Sequence, residues 1–317
     1  MGSTNNPHLK NDGSFFLLLS TSALFICFFA VVLNKSSSNL WKDRPFTDNQ
    51  TLGISVENAL AENDNYPKYI GADDISFSAK SVLAIDLRSG IILYEKNSLE
   101  PVLPASTSKI ITALVAMEHF DQEDQLSVPL LTVEGQKIGL IEGEILSAED
   151  LLYALLVSSA NDAAEVLAAN YPGGRDLFVA AMNIKAQQLG LKNSLFLNPT
   201  GLDQEGQATT AHDLVKTSFY AMQNPIFEKI VATKTYNIVN SDGEVRYKLH
   251  NINQLLGNIE GVRGIKTGKT DGAMENLLTC IERDGNQIII AVLGSGDRFG
   301  ETKDLIDWIY KSFIWQG

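Results

Sequence analysis

The chain has 317 residues, 44% of them hydrophobic and 20% charged, a balance typical of a globular protein with one large or two ordinary domains. Its formal net charge of -13, with no cluster of Lys and Arg, argues against a nucleic-acid partner, because phosphate binding depends on such clusters. Cys27 and Cys280 lie far apart and the histidines are scattered, so the sequence predicts no internal disulfide, no metal site and no cofactor.

An apolar run without charged residues covers positions 15–33. As a helix it would be about 28 Å long, close to the hydrocarbon thickness of a bilayer. We expect an uncleaved transmembrane signal anchor there, after a short tail of residues 1–14. A cleaved signal peptide is the alternative, although no small-x-small cleavage site follows before Asn34. The basic residues around the run mildly disfavour an outward-facing C-terminal part, so the orientation has to be inferred from function: Lys10, Lys35, Lys42 and Arg44.

Residues 34–77 are rich in Ser, Asn, Asp and Lys, which predicts a flexible linker. Regular structure is expected from residue 78 onward, so we assign residues 78–317 to one folded domain. Two β-rich runs, 81–87 and 91–95, flank a short turn that contains Gly90 and predict a β-hairpin.

A serine and a lysine follow the hairpin at the start of a predicted helix. Ser106 and Lys109 are three residues apart and so share one helix face, where the amine can hydrogen-bond the hydroxyl. The run after them, residues 110–117, is apolar nearly all round and indicates a buried helix, in which desolvation would lower the pKa of Lys109. The pair could thus be a nucleophile with its own base, or only a helix cap beside a solvated lysine.

The remaining elements are helices first and then strands. Ser147 and Asp150 resemble a capping box, and a helix break is expected at residues 158–162. Further segments are predicted as helices at 163–169, 176–189, 212–222 and 302–313, and as strands at 261–267, 276–281 and 287–294. Asp284-Gly285 predicts the turn between the last two strands. If the early hairpin joins the late strands, the fold is α/β of the α+β type, with a five-stranded antiparallel sheet flanked by helices, a mostly helical subdomain, and a cleft between them.

Two further polar groups fall where that cleft would lie. Ser159 and Asn161 occupy the helix break, and Lys266-Thr267-Gly268 ends a predicted strand. Lys266 and Thr267 could bind an anion, while Gly268 would allow a ligand close to the backbone. Each group alone also fits a helix cap or a solvated strand lysine.

Together, in this order, the three groups resemble the S-x-x-K, S-x-N and K-T-G motifs of serine penicillin-recognising enzymes. The chain is most similar to the D-alanyl-D-alanine carboxypeptidase family of low-molecular-mass penicillin-binding proteins. The resemblance covers roughly Ser81 to Phe313 and is carried by the runs PASTSKIITAL, LLVSSANDAAEVLA, NPTGLDQEGQATTAHDL and GIKTGKT. It implies a β-lactamase/DD-peptidase-like fold and a catalytic domain on the extracytoplasmic side of the cell membrane.

The resemblance also implies roles for individual residues. Ser106 would be the acylated nucleophile, Lys109 its base, and Ser159 a proton relay to the leaving group. The substrate-binding residues would be Asn161, Lys266, Thr267, Gly268, Lys269 and Arg298, with the backbone N–H groups of Ser106 and Lys269 forming the oxyanion hole. Arg298 is equally compatible with an ordinary surface arginine. The expected partners are peptidoglycan stem peptides that end in D-Ala-D-Ala, with β-lactam antibiotics as inhibitors.

The chain departs from the family pattern beside the K-T-G motif. Lys269 stands where a His is frequent, and Ala273-Met274-Glu275 where an Ala-Gly pair is frequent. The chain also ends soon after the closing helix, without the β-rich C-terminal domain and amphipathic anchor of many members, and the N-terminal span would replace that anchor.

Three other functions are compatible with some of these motifs. A class A β-lactamase is disfavoured because no E-x-x-L-N segment lies between Asn161 and Lys266. A DD-endopeptidase that cuts peptidoglycan cross-links would use the same residues, and a non-catalytic penicillin-binding sensor would need a degenerate site.

Overall fold

The computed structural model describes residues 66–239 and 243–315. The strands in this part of the chain are β1 (Pro67–Tyr69), β2 (Ser81–Asp86), β3 (Ile92–Lys96), β4 (Gln125–Ser127), β5 (Ile145–Ser147), β6 (Thr235–Val239), β7 (Val245–His250), β8 (Val262–Thr270), β9 (Met274–Arg283), β10 (Asn286–Ser295) and β11 (Phe313–Trp315). The helices are α1 (Lys109–His119), α2 (Ala148–Val157), α3 (Asn161–Asn170), α4 (Gly174–Gln188), α5 (Ala211–Met222), α6 (Pro225–Val231) and α7 (Arg298–Ser312).

The central sheet has the strand order β3-β2-β10-β9-β8, and every neighbouring pair is antiparallel. The early hairpin therefore joins the late strands, which confirms the predicted five-stranded antiparallel sheet. Asp284 and Gly285 join β9 to β10 with φ angles of 50° and 74°, as a two-residue hairpin turn with left-handed residues requires. Strand β8 forms one edge of the sheet, and its motif residues are therefore free to face the helical subdomain.

Both faces of the sheet are covered, which explains why β10 is apolar from Ile288 to Leu293 rather than alternating. One face packs against α7 and forms the main hydrophobic core, to which β2, β9, β10 and α7 contribute Val82, Ala84, Leu277, Ile281, Ile288, Ile290, Val292, Leu305, Ile306 and Ile309. The other face meets the helical subdomain through α5. The predicted buried helix is α1, whose residues from Lys109 to Ala116 are all buried among α2, α4 and α5.

Several elements differ from the sequence prediction. Residues 105–108 form a 3-10 turn before α1 rather than its first turn. Two small antiparallel ribbons, β4–β5 and β6–β7, were not predicted, because three- to six-residue strands carry little periodicity. The end of the predicted linker is folded onto the domain: β1 pairs with β11, and Phe77 is buried. Residues 67–77 can pack in this way because Tyr69 contacts the rings of Trp308 and Phe313.

Within residues 66–239 and 243–315, no helix combines the length and the apolar character needed to cross a bilayer. The predicted span at residues 15–33 lies outside the described residues. The division of the chain into tail, span, linker and domain stays a prediction.

Asn276 joins the sheet to the segment that precedes α1. Its Nδ2 donates to the carbonyls of Leu103 and Pro104 at 3.0 Å each, and its Oδ1 accepts from Gly294 N at 2.8 Å. The side chain is fully buried. We expect Asn276→Ala to lower the free energy of unfolding by about 2–4 kcal/mol, because it leaves buried backbone groups without partners. Urea denaturation measures the change.

Asn237→Ala is the matched control for this substitution. Asn237 is exposed on the β6–β7 ribbon, so its replacement should change the free energy of unfolding by no more than about 0.5 kcal/mol. Equal effects of the two substitutions would contradict the role assigned to Asn276.

Candidate active site

The 3-10 turn at residues 105–108 carries three hydroxyl groups, of which one is available to react. Thr107 Oγ1 donates to Pro104 O at 2.6 Å and Ser108 Oγ donates to Ala105 O at 3.1 Å, and both residues are buried. Ser106 is only partly buried, and its hydroxyl oxygen accepts a hydrogen bond from a side chain instead. Of these hydroxyls, that of Ser106 combines access from solvent with a basic neighbour.

That neighbour is Lys109, the first residue of α1. Its Nζ lies 3.0 Å from Ser106 Oγ and 2.6 Å from Asn161 Oδ1, and it also donates to the carbonyl of Thr200. Asn161 is fixed in turn, because its Nδ2 donates to Glu134 O at 2.7 Å. The structure thus brings together the predicted Ser106, Lys109 and Asn161 around one amine.

Burial controls the charge of that amine. Lys109 is completely buried, and desolvation lowers its pKa to about 7, although the negative charges of Glu165 and Asp162 act in the opposite direction. An amine with this pKa is neutral in a substantial fraction of molecules at neutral pH and can accept a proton from Ser106. The predicted lowering of the Lys109 pKa is confirmed.

Ser159 occupies the interruption between α2 and α3. Its φ of 57° lies in the left-handed region, a strained conformation for a serine that recurs at functional sites. Lys266 Nζ, on β8, donates to Ser159 Oγ at 2.8 Å and to Thr267 O at 3.0 Å. Lys266 is also fully buried; this burial, together with the charges of Lys109 and Arg298, holds its pKa well below the usual value.

Two polar atoms beside Lys266 have no protein partner. Among the described residues, Thr267 Oγ1 and Arg298 Nε are buried without a hydrogen bond. Arg298 is anchored nearby, because its Nη1 donates to Gly268 O at 2.7 Å and its guanidinium lies 4.7 Å from the ring centre of Phe299. An unpaired hydroxyl and an unpaired guanidinium N–H next to a lysine suit an anionic ligand such as a carboxylate.

Gly268 lets β8 approach the nucleophile turn. A Cβ at this position would lie 3.0 Å from both Ala105 Cβ and Ser106 N, closer than side-chain contacts normally allow. Lys269 follows with an exposed side chain, whose Nζ lies 3.0 Å from Glu275 Oε1. The oxyanion hole predicted from the N–H groups of Ser106 and Lys269 stays a prediction.

Sequence reasoning missed residues 198–201, which pack against the nucleophile turn. In the sequence analysis Asn198-Pro199-Thr200-Gly201 are only the start of the run NPTGLDQEGQATTAHDL, yet the Thr200 carbonyl accepts from Lys109. A Cβ on Gly201 would lie 1.9 Å from Ala105 O, so the segment packs directly under the nucleophile turn. The available signal in the sequence was the run that begins with NPTG, which resembles the family but suggested no role for these residues.

Asp162 was also missed. Its carboxylate accepts the backbone N–H groups of Ile138, Gly139 and Leu140, at 3.1 Å, 2.8 Å and 3.1 Å from Oδ2. It therefore holds the loop that supplies the carbonyl partner of Asn161. A carboxylate directly after the S-x-N motif was the available signal.

The chain is similar to known proteins in sequence and in fold. A family model described as D-alanyl-D-alanine carboxypeptidase matches residues 68–297. A D-alanyl-D-alanine carboxypeptidase of Bacillus subtilis is 33% identical over 253 residues, covering 76% of this chain and 64% of the relative. A D-alanyl-D-alanine endopeptidase of Pseudomonas aeruginosa is 30% identical, with 82% of this chain and 86% of that protein covered.

Solved structures agree with these sequence matches. The crystal structure of a D-alanyl-D-alanine carboxypeptidase from Mycobacterium tuberculosis superposes with a TM-score of 0.71 at 31% identity, covering 79% of this chain and 99% of that one. The match spans less than two thirds of the Bacillus subtilis protein but nearly all of the mycobacterial chain. The chain belongs to the D-alanyl-D-alanine carboxypeptidase family of low-molecular-mass penicillin-binding proteins.

Proposed function

We propose that the protein is a serine-type D-Ala-D-Ala carboxypeptidase that removes the terminal D-alanine from peptidoglycan stem peptides during cell-wall maturation. The observation that carries this proposal is the buried amine of Lys109 at 3.0 Å from the partly exposed hydroxyl of Ser106. Family membership and the names of the relatives support it.

Acylation of Ser106 is the first half of the proposed reaction. Neutral Lys109 takes the proton of the Ser106 hydroxyl while Oγ attacks the carbonyl carbon of the penultimate D-alanine. The N–H groups of Ser106 and Lys269 stabilise the negative oxygen of the tetrahedral intermediate. Ser159, hydrogen-bonded to Lys266, passes a proton to the leaving nitrogen as the C–N bond breaks and D-alanine departs. The proton that Lys109 took from Ser106 replaces the one that was given up, so Lys109 is neutral again before deacylation.

Deacylation returns the enzyme to its starting state. A water molecule attacks the acyl carbon, loses a proton to Lys109, and the ester bond to Ser106 breaks as Oγ regains a proton. During acylation the terminal carboxylate of the peptide sets the register by binding Lys266, Thr267 and Arg298, and it leaves with the D-alanine. The unpaired Thr267 Oγ1 and Arg298 Nε support this assignment.

A DD-endopeptidase is the second candidate, because the Pseudomonas aeruginosa relative carries that name. The two activities share every residue above and differ in the leaving group. Incubation with a pentapeptide that ends in D-Ala-D-Ala and with a cross-linked peptide dimer separates them. We expect free D-alanine from the pentapeptide; cleavage of the dimer alone would favour the endopeptidase, and neither product would overturn both candidates.

We further propose that residues 15–33 anchor the protein in the cell membrane with the catalytic domain on the cell-wall side. The apolar run and the extracytoplasmic position of peptidoglycan support this proposal. This anchor keeps the enzyme close to peptidoglycan, the substrate that the motifs imply.

Ser106→Ala should abolish both release of D-alanine and labelling by fluorescent penicillin, because among the described residues the Ser106 hydroxyl is the one that accepts from Lys109 Nζ. Ser108→Ala is the matched control, since its hydroxyl donates to Ala105 O and does not face the amine. Labelling is read on a denaturing gel. Retained labelling of Ser106→Ala, or equal loss in both variants, would contradict the assignment.

The pH dependence of acylation tests Lys109. Its neutral form accumulates as the pH rises through about 7, so the acylation rate constant should rise about tenfold per pH unit below that value and level off above it. Lys109→Arg stays charged and should lower the plateau by about 10²–10⁴-fold. Stopped-flow measurements with a chromogenic β-lactam give the profile. A rate independent of pH between about pH 5 and pH 9 would rule out Lys109 as the base.

Cell fractionation tests the anchor. The full chain should stay with membranes after an alkaline carbonate wash, and deletion of residues 15–33 should release it, because this run is the apolar segment of bilayer length. Replacement of the run by leucines is the control and should retain the protein. A shortened, soluble product on the extracytoplasmic side would instead indicate a cleaved signal peptide.

A further inference from the structure

Lys269 and Glu275 form a cross-strand pair at the end of β8. They are directly opposite each other in the β8–β9 register, and Lys269 Nζ lies 3.0 Å from Glu275 Oε1. The lysine side chain is 66% exposed and the glutamate side chain 22%.

Glu275 also contacts the backbone of Arg298, a partly buried cation of the site. Its other oxygen accepts the backbone N–H of Arg298 at 3.3 Å, and Arg298 Nη1 donates to Gly268 O, one residue before Lys269. Burial would raise the pKa of Glu275, but the hydrogen bonds from Lys269 and from Arg298 N outweigh it and keep the pKa below its ordinary value. One ionised carboxylate therefore interacts with both Lys269 and Arg298.

The other charged groups nearby do not have this position. Lys266 is buried and bonded to Ser159. Asp203 accepts from the neutral groups Thr270 Oγ1 and Gly272 N, at 2.7 Å and 3.0 Å. Among the described residues, Glu275 is hydrogen-bonded both to Lys269 and to the Arg298 backbone, so it can offset the attraction of these two cations for an incoming anion.

A cross-strand ion pair of this exposure contributes little to stability, because water screens it and both side chains lose freedom. Its main physical effect is on the local electrostatic potential, because a unit charge close to the cleft changes how strongly the cleft attracts an anion. We propose that the Lys269–Glu275 pair sets how strongly this cleft attracts the terminal carboxylate of its substrate, with Glu275 as a positioning residue that restrains Lys269 and Arg298. This inference rests on the proposed carboxypeptidase function.

The pair can be tested by a double-mutant cycle, in which each charge is removed alone and both charges are removed together. Glu275→Gln should lower KM for a peptide with a free C-terminal carboxylate by about two- to fivefold at low salt, and Lys269→Gln should raise it by a similar factor. The double substitution keeps the net charge and should return KM to within about twofold of the original value. Added salt should shrink each difference, since it screens exposed charges.

A peptide with a C-terminal amide is the matched substrate. It lacks the anion, so its KM should be the same for all four proteins. Glu275→Asp keeps the charge and should behave like the unaltered protein toward both peptides. A purely structural role for Glu275 predicts instead that Glu275→Gln lowers kcat equally for the two peptides and leaves KM unaffected by salt.

The unaltered protein is measured first, so that two failures can be distinguished. No release of D-alanine from the carboxylate peptide would overturn the proposed function and this inference with it. Release that is unchanged in KM by Glu275→Gln, or changed equally for acid and amide, would overturn the inference alone.

Discussion

The site depends on a lysine amine that is removed from water. A buried ammonium needs hydrogen-bond acceptors on all sides, and the three partners of Lys109 come from distant parts of the chain: the nucleophile turn, the break between α2 and α3, and the NPTG segment. Any of these segments that moved away would leave a buried donor unpaired. The need to satisfy one amine therefore fixes the relative positions of Ser106, Asn161 and Thr200.

Close packing holds the sheet against the nucleophile turn. Gly268 and Gly201 approach the nucleophile turn from two sides, and neither position has room for a Cβ. Asn276 adds hydrogen bonds from β9 to the two residues before the turn. Since interiors are close-packed, the turn has little freedom between these contacts, and the strained conformations of Ala105 and Ser159 are held in place by their surroundings.

Much of this architecture could be predicted from the sequence. The helices at 176–189 and 212–222, and the Asp284-Gly285 turn, show strong local signals, and the structure has α4, α5 and the β9–β10 hairpin there. The spacing of Ser106 and Lys109 allows their contact, and the two later motifs favour it over a helix cap beside a solvated lysine. What could not be predicted depends on tertiary contacts: the 3-10 geometry of residues 105–108, the short ribbons, and the packing of residues 67–77 against α7. Backbone acceptors such as Thr200 O also escape prediction, because a carbonyl carries no residue-specific signal.

The two buried lysines connect the halves of the proposed reaction. Lys266 has its pKa lowered by burial and then by the charge of Lys109, so the state of one amine affects the other. When Lys109 takes the proton of Ser106, its new charge makes Lys266 a stronger acid. Lys266 donates to Ser159 at 2.8 Å, so Lys266 can replace a proton that Ser159 gives up. Activation of the nucleophile at Lys109 therefore favours protonation of the leaving group through Lys266 and Ser159, and a cleft with only one buried lysine would lack this coupling.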